Sequence, residues 1–147
     1  MKTLWEPAVR EELLGRFARL HPDQRPVWGQ MTSAQMVAHC TDPMRAAMGE
    51  MKVEAKSGPF RKPWLRYLVI YWMPWPKGAP TAPEFIHSEP GVLEDNLSAM
   101  RATVDRFVAR ATSGGFEDHP AFGRVPLKDW GCLMYRHLDH HLRQFGV

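Results

Sequence analysis

The chain has 147 residues, 44% hydrophobic and 24% charged, with a net charge of +3. That length and balance fit one folded domain, 1–147, and exclude a disordered chain. Two cysteines are too few for a disulfide framework, and the longest apolar run, Trp64 to Trp75, is interrupted by Arg66 and Pro74 and is too short to span a bilayer.

The opening MKTLWEPAVREELL carries acids where a signal peptide has its apolar core, so a cytoplasmic location is expected. Charge is unevenly placed. Residues 52 to 77 hold six basic side chains against Glu54 alone, a local +5, which leaves −2 for the rest. No recognition-helix pattern or phosphate-binding glycine loop accompanies this cluster, so nucleic acid is not an expected partner.

The first predicted helix runs from about Glu6 to Leu20, with Pro7 in the first turn and Val9, Leu13, Phe17 and Leu20 on one face. The second opens at Thr32, whose pairing with Gln35 reads as a capping box. Its apolar stripe is Met36, Cys40, Met44, Ala47 and Met51. Residues 52 to 89 then form a long connection with six of the thirteen prolines and three of the six tryptophans. Within it, Pro63 to Met73 is expected as a short extra helix and Pro74 to Pro83 as extended chain. The next long helix spans Pro90 to Ala111, with Leu93, Leu97, Met100, Val104 and Phe107 alternating by four and three, and stops at Gly114-Gly115. The last runs from Pro126 to Gly146. Four helices with one proline- and aromatic-rich crossover between the second and third predict an all-α four-helix bundle.

The last helix carries His137, His140 and His141. On a wheel of about 100° per residue, Trp130, Leu133, Met134, Leu138 and Phe145 define an apolar arc. His137 and His141 fall inside that arc and His140 at its edge. Cys132 falls on the opposite side, so it is expected to point away from the core. Cys40 and Cys132 are therefore expected as free thiols, neither of them a nucleophile. Two inward imidazoles four residues apart can share one metal ion. Two core histidines, each bonded to a carbonyl or a buried water, are the alternative at this point. A third ligand decides between them, and His39 is the best candidate. It lies about 110° from the centre of its helix's stripe. Pro43, however, cannot donate a hydrogen bond to the His39 carbonyl, and a kink there can turn the ring inward. His21, His87 and His119 sit near helix ends or in loops and are read as surface or capping residues.

The stretches "WGQMTSAQMVAHC" and "HPAFGRVPLKDWGCLMYRHLDHHLRQFG" resemble the DinB-like superfamily of bacterial four-helix-bundle proteins. More narrowly, they resemble a branch catalogued as domain of unknown function 1569. The likeness extends over nearly the whole chain, with Val125-Pro126 standing where a Thr-led helix start is expected. It implies a divalent metal, zinc or nickel, held by His39, His137 and His141. It also implies a metal-dependent transferase that uses a low-molecular-weight thiol. Three imidazoles leave a coordination position open for such chemistry. Asp42, His140 and Gln144 are candidates for orienting a ligand or moving a proton, and Lys62 and Arg66 for attracting an anionic thiol. The expected partners are a small anionic substrate and a second copy of the chain in a homodimer. A metal-dependent hydrolase and a non-enzymatic stress or binding module, using exposed Trp64, Trp72 and Trp75, are the alternatives.

Overall fold

Proline at a helix start loses nothing, because the first amides of a helix have no partner inside it. Among the described residues, three of the five α-helices use this. α1, Pro7–Phe17, and α3, Pro63–Tyr71, begin on the ring itself, and Pro126 is the N-cap of α5, Leu127–Gln144. α2, Ser33–Ala47, starts with the predicted capping box: Thr32 Oγ1 accepts from Gln35 N, and Gln35 Oε1 accepts from Thr32 N. α4, Leu93–Ser113, ends one residue before Gly114. The structure, a computed structural model, describes residues 1–78, 83–86 and 91–147.

Among the described residues the chain is all-helical, with five α-helices, two short 3-10 turns at Pro59–Arg61 and Pro83–Phe85, and no strand. A single bridge, His119 to Gly123, closes the turn before α5. None of these helices is long and apolar enough to cross a membrane.

The core is built by the predicted stripes. Met36, Cys40 and Met44 of α2 meet Met100, Val104 and Phe107 of α4, and Leu133, Met134 and Leu138 of α5, all buried. α2 packs against α4 on one side and α5 on another. It is therefore buried almost all round, Val37, His39, Thr41 and Asp42 included. α1 lies on α5, and α3 lies outside the other helices, packed on α5 with Ile70 fully buried.

Several expectations are corrected here. Leu20 is buried but beyond the end of α1, because the chain turns after Ala18. Met51 likewise lies past the end of α2. Cys132 is buried, not turned away, because α3 crosses that side of α5 and sets Tyr71 against it. Tyr71 donates to the buried Asp129 at 2.7 Å, and burial together with that bond pushes its phenol pKa up. Both cysteines are free thiols. Of the stretch Pro74 to Pro83, expected as extended chain, residues 74–76 carry no helix, 77–78 form a turn and Pro83 opens the 3-10 turn. His87, Pro90 and residues 79–82 lie outside the described residues.

The N-terminus crosses α5 as a strap. Leu4 N donates to Gly131 O at 3.1 Å, and Trp5 Nε1 donates to Leu127 O at 3.1 Å. Trp5 also stacks on Phe107 and Phe116. Only a glycine at 131 lets the strap lie so close: a Cβ there would stand 2.6 Å from Trp5 Cε2.

Candidate metal centre

α2 presents His39 and α5 presents His137 and His141 one turn apart, so two helices deliver three imidazoles to one point. His39 Nε2 lies 3.1 Å from His137 Nε2 and 3.1 Å from His141 Nε2. Ligand atoms of all three lie within 4.8 Å of one another. His39 and His141 are buried, and His137 is half-buried with its Nδ1 enclosed.

The partners of the outer ring nitrogens fix the tautomers. His39 Nδ1 stands 3.2 Å from the carbonyl oxygen of Phe85, which can only accept, so His39 donates from Nδ1. Gln144 Nε2 donates to Trp28 O at 2.8 Å, which turns Gln144 Oε1 toward His141. His141 Nδ1 then donates to that oxygen at 2.7 Å. Both rings are left with an Nε2 lone pair, and the two lone pairs face each other at 3.1 Å. Such an arrangement is unfavourable unless a cation stands between them. His137 adds a third Nε2, while its Nδ1 has no hydrogen-bond partner among the described residues.

Protonation of His137 or His141 is a poor source of that cation. Burial, then the neighbouring His39, pushes the His141 pKa down to about 3. Burial, then His141 and His39, holds His137 well below the usual histidine value. A divalent metal does fit. Bonds of about 2.0–2.1 Å to a tetrahedral zinc separate ligand nitrogens by about 3.3 Å, close to the observed 3.1 Å. The cluster can hold a metal ion, with at least one position left for another ligand.

Trp75 covers one flank, 6.1 Å from the His137 ring and 6.0 Å from the His140 ring. It is held there by Arg136, whose guanidinium sits 5.3 Å from its ring and donates to the carbonyls of Val69, Ile70 and Met73. Trp28 stands edge-on to His140 at 5.8 Å and carries Lys77 at 4.8 Å from its ring. His140 itself is half-buried beside His141, at the predicted rim.

The other candidates divide. Gln144 is buried against His141, as above. Asp42 is buried but lines a different groove, with Arg45 and Arg106 between α2 and α4. Lys62 is exposed at the start of α3, and Arg66 lines a separate pocket with Arg61 and Arg124. His119 is half-buried and takes the capping role of the two expected for it. Its Nδ1 accepts from the amides of Ala121 and Phe122, and burial lowers its pKa to about 4. Gly29 was not foreseen. Its φ is +81°, and a Cβ there would stand 2.6 Å from Gln144 Nε2. The sequence held one signal for it, the glycine directly after Trp28. The Phe85 carbonyl had no signal, since any residue supplies one.

Gln144→Leu should weaken divalent-metal affinity by about 10–100-fold, the usual result of removing a ligand's outer hydrogen-bond partner. Competition against a chromogenic chelator measures this. Gly29→Ala should act in the same direction, because it displaces Gln144. Unchanged affinity in both would mean that Gln144 does not orient His141.

No curated protein and no solved structure gives a significant match to the chain. The family model described as "Protein of unknown function (DUF1569)" matches residues 10–146, nearly the whole of the chain, and α2 to α5 with the three histidines just described fall within that span, so the protein belongs to this family.

Proposed function

We propose that the chain is a metal-dependent enzyme of the thiol S-transferase kind on a DinB-like four-helix bundle, with His39, His137 and His141 holding zinc or nickel. The observation that carries this reading is the meeting of imidazole lone pairs whose tautomers are set by Phe85 and Gln144. A divalent ion bound there supplies an acceptor for a thiolate, or for a water made more acidic.

The chain's own groups supply the rest. Gln144 and the Phe85 carbonyl orient two ligands, and Trp75 shields the cluster from water. His140 is kept neutral by partial burial and by the charge of Arg143. It is the base available at the rim to take a thiol proton. Lys77, set against Trp28 beside His140, takes the role of meeting a substrate carboxylate that the sequence suggested for Lys62 and Arg66. The hydrolase reading needs a carboxylate base, and no Asp or Glu joins the cluster among the described residues.

The test is a titration of cobalt-substituted protein with small thiols. An anionic thiol should produce thiolate-to-cobalt absorption at millimolar concentration, less strongly as salt rises and less strongly in Lys77→Gln. If no thiol ligates, the binding-module reading replaces the enzymatic one.

A further inference from the structure

Apolar side chains on a soluble domain are ordinarily exposed singly. Here six large ones are exposed within residues 60–73: Phe60, Trp64, Tyr67, Leu68, Trp72 and Met73. Trp64 is 62% exposed and Trp72 72%. α3 sends only Ile70 fully into the core, so most of its apolar surface faces outward. The same segment is basic. Between residues 55 and 83 the sequence has Lys56, Arg61, Lys62, Arg66 and Lys77 and no acid.

At the N-terminal end of α3 these two features meet in an open pocket of about 590 Å³. Arg61, Arg66 and Arg124 line it, with Phe122 as an apolar wall. Phe60 packs edge-on against Phe122 at 6.1 Å, joining the exposed aromatic face to that wall. Among the described residues none of the three arginines forms an ion pair. Two of them donate to carbonyls: Arg66 Nη1 to Arg124 O at 2.6 Å, and Arg61 Nη1 to Lys56 O at 3.3 Å. Arg66 Nε is buried with no partner among the described residues. The pocket also lies at the starts of α3 and α5, neither of which has a side-chain cap. Everything there favours an anion.

We propose that α3 and this arginine pocket form a docking surface for an anionic phospholipid membrane. Tryptophan and tyrosine settle at the depth of lipid headgroups, and neighbouring basic residues are drawn to anionic lipid. The pocket would seat a headgroup phosphate, and Trp64 and Trp72 would enter the interface beside it. A second copy of the chain is a poorer occupant. A two-fold contact through this face would oppose the basic segment to itself with no acid to relieve it.

The test uses the full chain with phosphatidylcholine vesicles, with and without phosphatidylglycerol, followed by co-sedimentation and tryptophan fluorescence. Binding is expected only to the anionic vesicles, with a blue-shifted emission, and it should fall as salt rises. Trp64→Ser/Trp72→Ser and Arg61→Glu/Arg124→Glu should each weaken binding about tenfold or more, with unchanged circular dichroism and metal content. Absence of vesicle binding, or equal binding by either variant, overturns the proposal. So does binding of inorganic phosphate without vesicle binding, which would make the pocket a small-anion site. Concentration-dependent self-association abolished by Trp64→Ser/Trp72→Ser would assign the face to a second copy instead.

Discussion

Protein purified without an affinity tag should carry about one divalent transition metal per chain, and His141→Ala should abolish its retention. His141 contributes an Nε2 that is fixed at both ends, by Gln144 outside and by the position of His39 inside. Removing it leaves two nitrogens, so the loss should exceed the roughly 10–100-fold expected for disturbing Gln144. His39→Ala and His137→Ala should do the same. His140→Ala should keep the metal, because the His140 ring lies against Trp28 and Trp75 at the rim. The fold should survive each change, since removing His39 or His141 relieves an unfavourable meeting of lone pairs and His137 is only half-buried. Elemental analysis and chelator competition give the metal content, and circular dichroism the fold. A His140→Ala protein without metal beside a His141→Ala protein that retains it would reverse the assignment.

Gly131→Ala should lower stability by about 1–3 kcal/mol, the usual range for overpacking a close contact. The sign runs against helix propensity, which by itself favours alanine by about 1 kcal/mol. Gly131 sits under the N-terminal strap, and the added methyl would overlap Thr3 Oγ1 and the Trp5 ring. That ring cannot easily retreat, being bonded to Leu127 and stacked on Phe107 and Phe116. Gly15→Ala on α1 is the matched control, because nothing lies within 4 Å of a Cβ there. It should raise the melting temperature while Gly131→Ala lowers it by several degrees. Two shifts of the same sign in thermal unfolding would mean that the strap does not bear on α5.

Local patterns in the chain account for the helices and most of what they bury. The capping box at Thr32, the glycines after α4 and the apolar alternation of α4 and α5 are local signals, and local signals persist in the fold. The inward positions of His137 and His141 were legible for the same reason: a residue's angle on a helix depends only on its number. What the wheel did not contain is what lies across from each face. Cys132 sits opposite the apolar arc and is nonetheless buried, because α3 packs there. His39 lies off its helix's main stripe and faces the other histidines, because α2 is enclosed by α4 on one side and α5 on another. The tautomers were decided still later, by a backbone carbonyl at Phe85 and by a glutamine held against Trp28. Periodicity fixes the direction a side chain leaves its helix. Only the packing of distant segments decides what it meets there, and for an imidazole that decides which nitrogen keeps its lone pair.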